Sequence, residues 1–489
     1  MRWAVALLGF ALLGGLSVAQ TPVLRDAVPP LVPVTAFPDA APATVLGTNV
    51  LPINLATAMQ LAGANPIDVR IAMRQVELSA KLYDRAKLLW VPNIMVGADY
   101  FRHDGLQQNF AGDILKSNRG SFMAGFGPNI VFSVSDAIYA PLAAKQDLRA
   151  RQASQRAITN DIALSVAENY FTLQQARGEL TGAIVATQKA EEVSRRAERL
   201  AEGLAPPLEA TRARVELARR KQVEATTRER WRTSSTELSR VLRLDATAIL
   251  EPLEPPFLPI TVIQDATTLD TLIPIALTTR PELAGQQAVI QAALTRLKQE
   301  KMRPLIPSLA LRSTATNPSG SLGLGGFGGG SGSTLGSFGG RFDVDVQVMW
   351  EFQNLGFGNR LRAGERKIEY EVAILEMFRV QDRVAAEVAT ALAQVKGASE
   401  RLALAEPALK DAVELTQKSL EGLSQTRRVG DVLTLVVRPQ EVVAAVQSLG
   451  QANADFHTAV ADYNRAQFRL YRALGHPTQA LVGAATSTR

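Results

Sequence analysis

The chain is built twice over the same plan, and this limits its possible folds more than any other feature. Residues 58–100 and 274–312 each hold a helix-forming stretch between two prolines, followed by an alternating stretch. Pro66 and Pro92 lie 26 residues apart in the first copy, and Pro281 and Pro307 lie 26 apart in the second. Proline suits the first turn of a helix and cannot continue one at its end, so each pair brackets one helix. Both copies then continue with a second alternating stretch, a long helical stretch, a short break and another long helical stretch. Residues 53–250 form the first structural repeat and 268–475 the second, joined by a Pro-rich linker over 251–267. A second Pro-rich stretch, 20–52, precedes the first copy, and 476–489 form a tail. Neither Pro-rich stretch is expected to build a core of its own.

Residues 1–19 read as a signal peptide. Arg2 supplies a positive start, Trp3 to Val18 are apolar or small, and Ser17-Val18-Ala19 offers a small-x-small cleavage site. The apolar run is shorter than the roughly 20 residues of a membrane-spanning helix. The sequence has no cysteine, which excludes disulfides, thiolate metal sites and lipid attachment to a cysteine.

Four stretches alternate with period two. They are Ile94, Val96, Ala98 and Tyr100; then Phe122, Ala124, Phe126, Pro128, Ile130, Phe132 and Val134; then Leu309 and Leu311; then Phe342, Val344, Val346, Val348, Trp350 and Phe352. Ser121, Gly125, Gly127, Asn129, Ser133 and Ser135 lie opposite the second, Ser308, Ala310 and Arg312 opposite the third, and Arg341, Asp343, Asp345, Gln347 and Glu351 line most of the other face in the fourth stretch. About ten residues, apolar outside and polar inside, suit a transmembrane barrel strand, which makes Asp343, Asp345, Gln347 and Glu351 candidates for the barrel lumen. Each pair of strands flanks a stretch expected as an exposed loop, Arg102–Gly120 and Thr316–Gly340. The glycines of the second make no phosphate cradle, because a strand rather than a helix follows them. Four strands cannot enclose a lumen, since even about eight are filled by their own side chains. A membrane-spanning role therefore requires several copies.

The helices are too long for a globule. No proline interrupts 142–205, and neither proline nor glycine occurs in 208–251. The second copy matches this over 365–406 and 408–475, with Pro439 as a break. At ~1.5 Å per residue, 60 residues reach on the order of 90 Å, against globular helices of about 11–12 residues. Leu173, Ala176, Leu180, Ala183, Thr187, Ala190, Ser194, Ala197 and Ala201 recur at 3,4 spacing and form a seam of small residues. The breaks, Leu200–Glu209 and Leu420–Leu433, both contain Glu-Gly-Leu. Glycine ends helices, and Pro206-Pro207 then open the next one. Each break is a hairpin tip.

This ordered set resembles the TolC-like outer-membrane efflux proteins. It includes the Asn65-Pro66 and Arg280-Pro281-Glu282-Leu283 starts and the junctions at Pro92 and Pro307. It also includes the exit Trp350-Glu-Phe-Gln-Asn-Leu-Gly356 and the ending Asp462-Tyr463…Leu474-Gly475, so the likeness runs over about 51–475. The resemblance implies a mostly α fold with a β-barrel part. Long antiparallel helical hairpins would form an α-barrel, and each chain would give four strands to a trimeric twelve-stranded barrel. It implies a homotrimer in outer-membrane lipid, with its helices in the periplasm and partners in a periplasmic adaptor protein and an inner-membrane transporter. The subunit would be a passive exit duct and no enzyme, without cofactor. The resemblance places the adaptor contact at Gly203, Leu204, Gly422 and Leu423, and the pore constriction at Asp431, with Glu209 the weaker match. This chain departs from the family in its longer second tip and in Thr434, where some relatives carry a second acid.

Chemistry finds no foothold. His103, His457 and His476 have no helical partner at metal-ligand spacing, and no nucleophile elbow or Walker loop is present. The 53 basic and 47 acidic residues are interspersed as solvated helix faces, which argues against nucleic acid despite a net charge of +6. The alternative is an exported coiled-coil envelope scaffold without a pore. A periplasmic adaptor fits less well, because the repeat and the alternating strands have no place in it.

Overall fold

Residues 134–200 and 357–423 show what long proline-poor stretches do when they have neighbours. Each forms one 67-residue α-helix, roughly 100 Å at 1.5 Å per residue. Pro141 and Pro407 lie inside these helices and each removes one backbone donor. Packing along the rod outweighs the ~3 kcal/mol that an interior proline costs. The computed structural model describes residues 50–64, 66–91, 93–202, 204–264, 268–312, 324–331, 335–342, 345–429 and 432–476. The expected signal peptide, most of the first Pro-rich stretch, Gly203, Asp343, Asp431 and the tail beyond His476 lie outside them.

In chain order the first half holds β1 (Val50–Ile53), α1 (Leu55–Ala64), α2 (Ile67–Lys87), β2 (Asn93–Gln108), β3 (Ile114–Ser133), α3 (Val134–Leu200), α4 (Pro207–Leu242) and β4 (Ile249–Pro252). The second half holds α5 (Leu269–Thr279), α6 (Pro281–Met302), β5 (Ser308–Arg312), β6 (Leu324–Ser331), β7 (Ser337–Phe342) and β8 (Asp345–Met349). It closes with α7 (Phe357–Leu423), β9 (Thr426–Val429), β10 (Val432–Leu435) and α8 (Pro439–Ala473). Pro207, Pro281 and Pro439 open α4, α6 and α8, and Pro66 caps α2. Arg280 ends α5 and caps α6 with ψ 124°, the extended backbone that a following proline imposes. The expected strand ending near Ser135 is cut short, because α3 starts at Val134 with Asp136 in its first turn. Asp136 accepts from Gln299 and Arg303, which ties the end of α6 to the start of α3.

The returning helices α4 and α8 have 36 and 35 residues and face only part of their 67-residue partners. The backbone at Gly475 (φ +82°) turns against Thr279 and Arg280, so α8 ends where α6 begins. The predicted 3,4 seam of α3 is buried from Leu173 to Ala197. Two larger cores repeat one another. In the first, Ala58 and Ala62 of α1 pack with Val166 and Tyr170 of α3 and Leu238 and Leu242 of α4. In the second, Leu272 and Ala276 of α5 pack with Val388 and Val395 of α7 and Ala466 and Leu470 of α8. A third core lies near the tips, around Val193, Leu423 and Val446.

The linker between the halves is a bound strap. Glu254 accepts from Tyr170 and, at 3.0 Å, from Leu55 N. Gln174 donates to the carbonyls of Glu254 and Pro255 at 3.2 and 2.8 Å. The fully buried Asn464 donates to Leu258 O (3.1 Å) and accepts from Ile260 N (2.7 Å). Gln467, also fully buried, accepts from Val262 N and Ile263 N. Val262 and Ile263 rest on the two cores. A Pro-rich composition here means backbone groups served by side chains of the long helices rather than freedom.

The strands form four antiparallel paths. β2 pairs with β3 over sixteen residue pairs, from Asn93↔Asn129 to Gln108↔Ile114. The other edge of β3 carries β5 (Asn129↔Arg312) and then β6 (Phe126↔Leu324) in one line. β8 and β7 continue that order against β5 and β6. The first expected loop is therefore largely strand, and so are most of the described residues of the second. Arg102–Gly120 contains only a short turn, closed by Asn109 N donating to Asp113 O at 3.0 Å. Its few large apolar residues, Leu106, Phe110, Ile114 and Leu115, do not alternate, so the ladder left no period in the sequence. Within Thr316–Gly340, β6 and most of β7 are strand, and glycine carries no hydropathy signal. Phe338 lies over Gly328 and fills the space a side chain would take.

Candidate functional site

The helices attach to the sheet at one end only. β2 follows α2, β3 leads into α3, β5 follows α6 and β8 leads to α7, so both hairpin turns lie at the far end. On β2 the even residues Ile94, Val96 and Tyr100 are 71%, 80% and 55% exposed, while Asp99 and His103 on the odd face are half-buried. On β8, Val346 and Val348 are exposed and Gln347 is half-buried. The apolar stripe ends where Arg102 pairs with Asp104 at 2.5 Å. Nine residues of tilted strand cover about 25 Å, the height of the apolar band of a transmembrane barrel. Asp345 stands opposite Arg312 in the ladder. Glu351 lies just past β8, exposed, and accepts from Gln353 Nε2 at 2.9 Å.

The sheet is open. Among the described residues, β2 on one side and the line of β7 and β8 on the other have no strand beyond them. The helices beneath run in the matching order: α2 beside α3, α3 beside α6, α6 beside α7. Both outer helices carry an uncovered apolar seam at heptad spacing. On α2 it is Ile67, Ile71, Leu78 and Leu82; on α7 it is Phe357, Leu361, Ile368, Val372 and Leu375. Their exposures run from 43% at Leu82 to 70% at Leu361. Unpaired strand edges and apolar seams thus coincide at the same two boundaries. The α7 spacing is legible in the sequence, but only the helix order shows that no described element covers it.

The two tips differ. At the first, the chain turns through Leu204 N and Ala205 N, which donate to Leu200 O at 2.9 and 2.8 Å, and Leu204 is 45% exposed. Glu209 is half-buried and paired with Arg212 at 2.9 Å, and Arg212 also donates to Gln440 at 3.1 Å. At the second tip, Gly422 is buried against Val437, and Leu423, 1% exposed, belongs to the third core. Gly422 and Leu423 therefore offer a partner no surface within this chain, whereas Leu204 does. The extra length of the second tip is the β9–β10 hairpin, with Arg427 exposed on it. Arg196 donates to Leu420 O (2.9 Å), and Gln447 to Glu216 (2.6 Å), so the two hairpins are tied together.

Sequence reasoning missed the buried polar groups. Arg280, 3% exposed, donates to Ala473 O (2.8 Å), Glu282 (3.3 Å) and Glu387 (2.5 Å). Arg472 donates to Glu387 and Glu282 at 2.9 and 3.0 Å and also pairs with Asp161. Burial raises the Asp161 carboxyl above its usual range, and Arg472 offsets part of that rise. His457 is buried against Gly178, and burial lowers its imidazole despite the Pro256 carbonyl and the Glu179 charge. Among the described residues, no cluster of three or more His, Asp or Glu is arranged to hold a metal ion. No described helix is long and apolar enough to cross a membrane.

No protein-family model matches the sequence, and no curated protein does. Solved structures do match. The CmeC outer membrane channel of Campylobacter jejuni aligns with a TM-score of 0.69 at 15% identity, over 89% of this chain and 89% of its own. The outer membrane protein VceC of Vibrio cholerae aligns at 0.66 and 15%, over 86% and 96%. The MtrE outer membrane channel of Neisseria gonorrhoeae, in its open state, aligns at 0.66 and 15%, over 89% and 94%. This chain has the TolC-like outer-membrane-channel fold. Alignment over most of both chains covers sheet and rods together, so the likeness is to the whole TolC-like plan rather than to a helical hairpin alone.

Proposed function

We propose that the chain is one subunit of an outer-membrane duct made of three copies. Twelve strands would close a barrel in the membrane, and the helices would continue it as a tube through the periplasm. The observation that carries this reading is the coincidence of open strand edges with apolar helix seams. A sheet edge with its backbone unpaired is not tolerated in lipid, so the strands must close into a ring. The edge of β2 and the line of β7 and β8 are unlike, so the contact is head-to-tail and closes as a cycle. The same contact covers the α2 seam with the α7 seam of the next copy.

The duct is passive. A periplasmic adaptor and an inner-membrane transporter deliver the substrate, with Leu204 the exposed member of the proposed tip contact. The family resemblance offers Asp431 as the constriction residue, and three copies of it would form an acidic ring that favours cations. Asp431→Asn is then expected to lower cation selectivity, read as a shift of the reversal potential in single-channel recordings. The pore-free scaffold gives no reason for an apolar band on one face of the sheet. The deciding experiment is the native mass of the protein extracted in detergent from an outer-membrane fraction, with conductance measured in planar bilayers. A trimer that conducts is expected. A soluble monomer or dimer in the periplasm returns the scaffold reading.

A further inference from the structure

We propose that the outer ends of the β2–β3 hairpins meet over the mouth of the ring and form an apolar lid whose parts are supplied by neighbouring copies. The inference rests on the three-copy reading above. It starts from where pairing ends. β6 pairs with β3 only as far as Ser331↔Arg119, whereas β2 and β3 continue from Asp104↔Asn118 to Gln108↔Ile114. This last part of the hairpin is an arm with no strand beside it among the described residues. It begins above the Arg102–Asp104 pair, where the apolar stripe stops.

The arm has an ordered turn and an apolar apex. Asn109 Oδ1 accepts from Asp113 N (2.8 Å), Asn109 Nδ2 donates to Asp113 Oδ2 (3.1 Å), and Gln108 Nε2 donates to Gly112 O (3.2 Å). The one carboxylate at the apex is thus turned back into its own loop. Leu106, Phe110, Ile114 and Leu115 are left outward, and Phe110 is fully exposed. Four large apolar side chains held in water beyond the membrane band call for a cover.

The dimensions name the cover. Twelve strands at ~4.8 Å spacing and ~40° tilt put the barrel wall roughly 12 Å from its axis. Five residue pairs at ~3.4 Å each, with the turn, make an arm on the order of 15–20 Å long. Three arms leaning inward therefore reach one another on the axis, apex to apex. The occupant of each apolar apex is the apex of the next copy. Such a constriction excludes water and ions when closed; Lys116, opposite Leu106 in the ladder, is the basic charge nearest to it and lies on the stem below the apex.

The absence of cysteine allows a direct test. Phe110→Cys in the full chain is oxidised with copper phenanthroline in outer membranes. Three thiols on one axis permit one disulfide per ring, so a covalent dimer holding up to about two thirds of the chains is expected, reversed by reductant. Lys116→Cys, on the stem of the arm, is expected to give little dimer. Leu106→Ser with Phe110→Ser is expected to raise open-channel occupancy severalfold in planar bilayers. No dimer from Phe110→Cys in a protein whose native mass is trimeric overturns the lid and leaves the duct standing. Quenching of bimane on the Phe110→Cys variant by a lipid-phase quencher overturns it too, because the arms would then lie on the membrane. A native mass that is not trimeric removes the ring reading itself.

Discussion

The imidazole of His457 on α8 lies directly against Gly178 of α3, so close that a Cβ at Gly178 would stand 2.6 Å from Nδ1. Four residues along each helix the arrangement repeats, with Gly182 against Asn453. Two glycines one turn apart let α3 and α8 approach at the height where the strap crosses them. Helical glycine costs about 1 kcal/mol relative to alanine, so the close approach has to return more than that.

Gly178→Ala is therefore expected to destabilise the helical part despite its better helix propensity. The added methyl overpacks a site filled by a rigid ring, at about 1–3 kcal/mol. Thermal unfolding followed by helical circular dichroism checks it. A melting temperature at or above that of the parent would show that the two helices are free to part.

His457 also sets a pH dependence. Burial lowers its folded-state pKa below the ordinary value of 6.5. An unfolded chain thus binds a proton at this histidine before the folded one does. Stability should be intact above about pH 6.5 and decline as pH falls below it. His457→Asn should remove this part of the slope. Urea midpoints of both proteins between pH 7.5 and 5.5 test it, and parallel curves would count against it.

Arg280 holds two carboxylates and a helix-end carbonyl while almost wholly buried. Arg280→Met should cost about 3–5 kcal/mol, because Glu282 and Glu387 keep their charge and lose a partner. Arg280→Lys should restore only part of this, since an ammonium cannot span three acceptors in the guanidinium geometry. Arg74, paired with Glu77 on the surface, is the control, and Arg74→Met should leave the melting temperature in place.

Ile368 sits mid-way along the uncovered seam of α7. Ile368→Asp puts a charge where the proposed ring needs an apolar contact, and touches no core of the single chain. Helical content should survive while assembly fails, giving monomers by native mass measurement in detergent. A trimer of normal stability would place the contact between copies elsewhere.

How much was legible in the sequence can be followed residue by residue. Leu173 to Ala197 announce their seam because one face of a helix must be apolar wherever it packs, and the spacing survives in the letters. The prolines at 66, 207, 281 and 439 mark helix starts because a ring closed on the backbone nitrogen leaves few other places for them. Ile94 to Tyr100 and Val346 to Trp350 reveal strands by alternation alone. These local rules, repeated twice, already required rods and strands, and more than one copy if the strands are to span a membrane.

Other features depended on which segments meet. The strands of the Gly-rich stretch and of 102–120 are held by backbone pairing, β2 and β6 with β3 and β7 with β6, and hydrogen bonds between backbones leave no side-chain pattern to read. Asn464 and Gln467 look like ordinary polar helix residues until the strap runs past them. Leu204 and Leu423 each end the same Glu-Gly-Leu triplet, yet one is exposed and the other buried, because only the second has Val442 and Val446 folded against it. Sequence periodicity determined the elements and their amphipathic faces, since those follow from each residue's own neighbours along the chain. The tertiary structure alone decided which faces are covered and which stay open, because burial is a property of pairs of segments and neither segment encodes it by itself.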